Sequence, residues 1–174
     1  VKRHVALVGF MGTGKSTIGR KLARELGCAF FDTDDLIVRT HGAIAEIFSS
    51  QGEAAFRRYE QEAIGNVLSG ADAGVVALGG GALTIAENRA LLEERAHRIF
   101  LRSSPEQILR RLRRSRERRP LLGPRPTLAQ IRELYDARLA HYVNVDHIVE
   151  ARRLSDRAIL DDILQWLNEK KIAL

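Results

Sequence analysis

The chain has 174 residues, 45% of them hydrophobic and 29% charged, and a formal net charge of +6. That length suits about one domain, and the balance excludes a disordered or collagen-like chain. No apolar run approaches the roughly 20 residues of a membrane helix, the first residues show no signal-peptide pattern, and the single cysteine, Cys28, leaves no internal disulfide or cysteine metal cluster, so a cytoplasmic protein with no membrane partner is expected.

Short β-branched or aromatic runs alternate with longer helical patterns. Residues 4–8 read as a buried strand. Residues 16–26 read as a helix with Ile18, Leu22 and Leu26 on one face, ended by Gly27. Residues 29–31 make a second strand, and Asp35 is placed to cap a short helix from Leu36. Helices over 44–50 and 53–69 are broken at Gly52. A third strand over 75–78 runs into Gly79-Gly80-Gly81. A helix over 85–95 and a strand over 98–101 follow. The next helix opens at Pro105 after Ser104, with Ile108, Leu109 and Leu112 as its apolar stripe. Pro120, Pro124 and Pro126 with Gly123 interrupt the pattern before Thr127 caps a helix to about Tyr142. A strand over 147–149 and a helix over 156–169 close the chain. Such alternation predicts a parallel sheet with helices on both faces. The helix-rich stretch 35–69 is long for one crossover and reads as an insertion that holds substrate.

Gly9-Phe10-Met11-Gly12-Thr13-Gly14-Lys15-Ser16 fits the phosphate-loop pattern G-x-x-x-x-G-K-[ST], after a strand and before a helix. Glycines let the backbone curl so that N–H groups face phosphate oxygens, and the helix N-terminus adds its positive end. Lys15 is placed to reach the β- and γ-phosphates, and Ser16 to ligate Mg²⁺. The loop therefore predicts a nucleoside triphosphate. No Asn-Lys-x-Asp guanine-reading motif is present, and motor-type ATPases are much longer, which leaves a small kinase.

Asp32-Thr33-Asp34-Asp35 follows the second strand, on the sheet edge where ligands of open α/β sheets bind. Asp32 suits a water-mediated hold on Mg²⁺ and Asp34 suits orienting and deprotonating the acceptor; read alone, both serve equally well as helix caps. Three glycines ending the third strand let a ligand approach backbone amides. Arg57 and Arg138 suit a bidentate grip on a carboxylate, although each also reads as a surface ion pair. Arg119, at the proline-rich join, is placed to close over the phosphates. Seven arginines lie between Arg110 and Arg119; such a cluster attracts polyanions, nucleic acid or nucleotide phosphates alike.

In order along the chain, the phosphate loop continued through Thr17-Ile18-Gly19-Arg20, Asp32-x-Asp34, Phe56-Arg57, Gly79-Gly80-Gly81, Arg119-Pro120-Leu121-Leu122 and Arg138-x-x-x-Tyr142 resemble the shikimate kinase family over nearly the whole sequence. The resemblance implies a fold like that of nucleoside monophosphate kinases: a three-layer α/β/α sandwich on a five-stranded parallel sheet. It implies a core of residues 1–31, 70–109 and 143–174, a substrate-binding insertion at about 32–69, a lid at about 110–126, and a helix over 127–142 returning to the core. It implies transfer from MgATP to the 3-hydroxyl of shikimate, in the pathway to chorismate and the aromatic amino acids. By the family pattern, Asp34 positions the attacking hydroxyl, Lys15 and Arg119 stabilise the transferring phosphoryl group, and Arg57 and Arg138 hold the shikimate carboxylate. Gly79, Gly80 and Gly81 approach the same ligand. Gly12, Thr13, Gly14, Lys15, Ser16 and Thr17 cradle ATP, Ser16 ligates Mg²⁺ with Asp32 behind it, and Arg111 and Leu154 face the adenine. A monomer with no nucleic-acid partner is expected. Ala140, where a proline is common in the family, and His141 depart from the pattern. A gluconate kinase shares the loop and a carboxylate-bearing acceptor; the Asp32-x-Asp34 and triple-glycine pair favours shikimate.

Overall fold

The computed structural model describes residues 2–115, 120–151 and 154–174. Strands β1 (His4–Val8), β2 (Ala29–Asp32), β3 (Gly74–Ala77), β4 (Ala96–Arg102) and β5 (His147–Glu150) form one sheet in the order β2-β3-β1-β4-β5. Every pairing is parallel. The helices are α1 (Lys15–Leu26), α2 (Thr33–His41), α3 (Ile44–Gln51), α4 (Glu53–Ser69), α5 (Ala86–Arg95), α6 (Pro105–Arg114), α7 (Leu128–Val143) and α8 (Asp156–Glu169).

Two-residue periodicity sorts the sheet's side chains to its two faces. Val5 and Leu7 of β1 join α1 and α8 through Ile18, Leu22, Ile159 and Ile163. Ala6 and Val8 join Ile64, Leu92, Ile108 and Ile131 from the helices of the other layer. All five β1 residues are buried, and after His4 the strand is apolar from Val5 to Val8. A third cluster, Ile37, Ile47, Phe56 and Ala63, binds α2, α3 and α4 to one another.

Local chemistry sets the boundaries. Ser104 with Gln107 and Thr127 with Gln130 are capping boxes, which fix the starts of α6 and α7. The expected cap at Asp35 is corrected: α2 starts at Thr33 and its cap is Asp32, whose Oδ1 accepts from the N–H groups of Asp34 and Asp35. Strand β2 stays paired through Asp32, opposite Ala77, and the chain turns straight into the helix. Helix α5 likewise passes into β4 without a loop, because Ala96 is already in register with His4.

His4 is 2% exposed and its Nε2 lies 3.1 Å from the Asp72 carbonyl oxygen. Burial lowers its pKa, aided by Arg3, against the opposing carbonyls of Asp72 and Arg95. The unfolded chain takes up this proton near pH 6.5, before the folded chain does. The His4 contribution is therefore complete above about pH 6.5 and lost as pH falls below it toward the lowered folded value. Melting temperature is expected to decline from pH 7 to pH 5, and less steeply in His4→Gln. His97, also lowered by burial and by Lys2, keeps part of the slope. Identical slopes in the two proteins would refute the assignment to His4.

Candidate active site

The loop after β1 needs backbone angles that side-chain-bearing residues avoid. Gly12 and Gly14 have φ of 75° and 91°, and Gly14 is the left-handed N-cap of α1. The Thr13 hydroxyl donates to the Phe10 carbonyl at 2.8 Å, which turns that side chain inward. Lys15 Nζ donates to the carbonyls of Gly9 and Phe10 at 2.8 and 2.9 Å, which keeps its ammonium over the loop. A cavity of about 260 Å³ opens here, lined by Gly12, Gly14, Lys15, Ser16, Thr17 and the β2 end.

Asp32 does two jobs at once. Its Oδ1 caps α2, and its Oδ2 accepts from the Ser16 hydroxyl at 2.5 Å. The cap and the site readings of this residue are thus compatible, one oxygen for each. Capping also orients the first turn of α2, which carries Asp34 to the border between the phosphate cavity and a neighbour. That neighbour is about 340 Å³. Asp34 and Met11 line both cavities.

The second cavity has a charged floor and an apolar rim. Its floor holds Arg57, Glu60 and Arg138; Val38, Ala45, Phe48, Phe56, Pro120 and Leu121 contribute to the rim. Arg57 donates to Glu60 Oε2 at 2.7 Å and to Glu53 Oε1 at 3.0 Å. Burial works against the charged guanidinium, but the Glu60 and Glu53 carboxylates more than offset it, and the Arg57 pKa is raised. Burial pushes the Glu60 carboxyl up as well, against the pull of Arg57 and Arg138. Arg138, 5% exposed, sits 5.8 Å from the centre of the Phe10 ring, a cation–π contact. Its Nη1 and Glu60 Oε1 are buried with no hydrogen-bond partner among the described residues, an arrangement that folded proteins rarely leave unanswered.

The three glycines after β3 are held to that composition by their neighbours. A Cβ on Gly79 would overlap Glu60 Oε1, and one on Gly81 would overlap the Arg57 guanidinium. A Cβ on Gly80 would stand 3.0 Å from the Met11 nitrogen and 3.6 Å from Arg138 Nη1. The protein's own charged groups therefore occupy the space that side chains would need.

Lys15, Ser16, Asp32 and Asp34 thus meet at one cavity, and Asp34, Arg57, Arg138, Gly79 and Gly81 at the next, with Gly80 behind. Arg111 lies beside the loop, its Nη1 donating to the Gly12 carbonyl at 3.2 Å. Leu154 is 40% exposed, two residues before α8, and lines neither cavity. Arg119 falls outside the described residues. Glu60 was not among the expected site residues. Its spacing of three from Arg57 signals a helical ion pair, and nothing local signals that its side chain is 0% exposed.

The family model for shikimate kinase matches residues 11–168. The chain belongs to the shikimate kinase family. A shikimate kinase of Geobacter sulfurreducens is 44% identical over 168 residues, covering 96% of this chain and 92% of the relative. One from Symbiobacterium thermophilum is 41% identical over 170 residues, covering 96% and 95%. Among solved structures, the shikimate kinase of Acinetobacter baumannii in complex with shikimate superposes with a TM-score of 0.91 at 36% identity, covering 99% of this chain and 96% of that one. A deoxyadenosine kinase of M. mycoides, at a TM-score of 0.65 and 17% identity, shares the fold. This shikimate kinase family member is a phosphotransferase, and its five-stranded parallel sheet is the one its family resemblance implies.

Proposed function

We propose that the chain transfers the γ-phosphoryl group of MgATP to the 3-hydroxyl of shikimate, giving shikimate 3-phosphate and ADP on the way to chorismate and the aromatic amino acids. One observation carries this reading: a phosphate-loop cavity and a cavity with two arginines on its floor share Asp34 and Met11. A phosphoryl group held in the first lies next to a hydroxyl held in the second, which is the proximity that transfer requires.

Shikimate is a small carboxylate with several hydroxyls. Arg57 and Arg138 neutralise and orient the carboxylate. Asp34 accepts a hydrogen bond from the attacking hydroxyl, aims it at the γ-phosphorus and takes its proton. Lys15 moves its ammonium from loop carbonyls to phosphate oxygens and balances the charge that spreads over them. Arg119 is assigned the same task from the lid side. The backbone N–H groups of residues 12–17 hold the phosphates, with Arg111 and Leu154 assigned to the base. Ser16 Oγ and Asp32 Oδ2 form a hard oxygen pair that would hold Mg²⁺, which would supply positive charge against the phosphates. Closing the 110–126 segment, the lid, over the acceptor excludes water as a competing acceptor. We read residues 32–69 as the insertion that carries the acceptor, residues 1–31, 70–109 and 143–174 as the core, residues 110–126 as the lid, residues 127–142 as the helix returning to the core, and the protein as a cytoplasmic monomer. Among the described residues no helix is long and apolar enough to cross a membrane.

The test is ADP release with MgATP and, in turn, shikimate, gluconate, a nucleoside monophosphate and no acceptor. Turnover that depends on shikimate is expected. Turnover with another acceptor alone discards shikimate, and turnover with none discards the kinase reading.

A further inference from the structure

Tyr142 belongs to the motif that carries the family resemblance, yet the reaction as described gives it no task. It lies four residues after Arg138, one helical turn on, so both side chains leave the same face of α7. That face is turned into the protein: Tyr142 is 1% exposed and Arg138 5%. The Tyr142 ring is fixed by stacking on Phe100, with centroids 5.2 Å apart and planes at 29°. Its hydroxyl donates to the Gly80 carbonyl. Burial pushes the phenol up to about 12, against the pull of the neighbouring Arg138. It is therefore a protonated donor throughout the working pH range.

Gly80 is the point where three parts of the site meet. A Cβ placed on it would stand 3.0 Å from the Met11 nitrogen of the phosphate loop and 3.6 Å from Arg138 Nη1. Its carbonyl is tied to Tyr142, so the direction of the Gly80 peptide is set by α7. The same helix carries Arg138, whose guanidinium stands beside the Tyr142 oxygen. The phenol thus ties the Gly80 backbone to the helix that carries Arg138.

We infer that Tyr142 is a positioning residue for the acceptor: it fixes the Gly80 peptide and Arg138 relative to each other, and acts on acceptor affinity without touching the acceptor. The inference rests on the acceptor assignment proposed above. A purely structural tyrosine in this place would contribute stability and nothing selective. The helix supplies the comparison. Tyr135, also buried on α7, sets its ring at a tilt against Phe10 and Tyr142, while the Gly80 carbonyl accepts from Tyr142.

The experiment compares steady-state kinetics of wild type, Tyr142→Phe and Tyr135→Phe, with melting curves of each. Losing one buried hydrogen bond in the cradle corresponds to about a ten-fold rise in KM for shikimate. KM for ATP and kcat in Tyr142→Phe are expected to stay within about two-fold of wild type, and all three values in Tyr135→Phe likewise. Incorporating 4-aminophenylalanine at position 142 restores an N–H donor to the same carbonyl. It is expected to return the shikimate KM to within about two-fold. Unchanged shikimate KM in Tyr142→Phe, equal rises in both KM values, or failure of the rescue in folded protein would each overturn the inference. Wild type without shikimate turnover would instead remove the acceptor assignment, and this inference with it.

Discussion

Asp34→Asn is expected to lower kcat by about 10²- to 10⁴-fold, the range for losing a positioned general base, while nucleotide affinity changes less than about two-fold. The substitution is nearly isosteric, so the two cavities and their shared border keep their shape. What changes is chemistry at one atom pair. The amide has no oxygen basic enough to take the hydroxyl proton, and one of its two positions now donates where the carboxylate accepted. The aim of the group survives, because the Asp34 backbone N–H remains held by Asp32 Oδ1 at 3.0 Å. The neighbouring residue supplies the comparison. Asp35 also borders the larger cavity, but its carboxylate pairs with Arg20 at 3.2 Å and its side chain is 51% exposed. An exposed pair of that kind contributes at most about 1 kcal/mol, and Asp35→Asn is expected to leave kcat within about two-fold. Nucleotide binding by calorimetry and turnover by ADP release separate the two effects. Near-wild-type kcat in Asp34→Asn, or equal losses in both variants, would take the proton-accepting role away from Asp34.

Patterns whose cause is local were legible in the sequence. From Val5 to Val8 the β1 run is apolar because both sheet faces are covered. Ser104 and Thr127 announce helices because each cap bonds within four residues, and the strand–glycine loop–helix order of residues 4–26 announces a phosphate site for the same reason. Where the cause lies elsewhere in the chain, the sequence was silent or misleading. The start of α2 is set by the pairing of Asp32 with β3 and by its bond to Ser16, sixteen residues earlier, so a cap at Asp35 looked equally good. The triple glycine looked like room for a ligand against bare amides. Glu60 and Arg57 also crowd Gly79 and Gly81 from α4, and the Met11 nitrogen crowds Gly80 from the phosphate loop. Glu60 itself reads as one more surface acid of a charged helix. Its burial follows from α4 packing over Gly79, a contact with no counterpart in local sequence.

Glu60→Ala is accordingly expected to cost about 3–5 kcal/mol of stability, the range for breaking a buried ion pair and leaving the other charge uncompensated. Arg57 is the charge left behind. Its side chain is 13% exposed, and its second partner, Glu53, sits at the half-exposed end of the interaction. The arginine cannot neutralise itself by losing a proton, so it must swing toward solvent or draw water inward. Either response moves the guanidinium away from Gly81, and acceptor KM rises along with the loss of stability. Glu60→Gln separates the two contributions: it keeps the volume and an oxygen for the 2.7 Å hydrogen bond but removes the charge, and is expected to be destabilised less than the alanine variant. The decisive comparison is a double-mutant cycle by urea unfolding. Arg57→Ala combined with Glu60→Ala is expected to be more stable than the sum of the single losses allows, with a coupling of about 0.5–3 kcal/mol. Strict additivity would show that the two residues are stabilised by separate surroundings, and that Glu60 is buried for packing rather than to hold Arg57 in place.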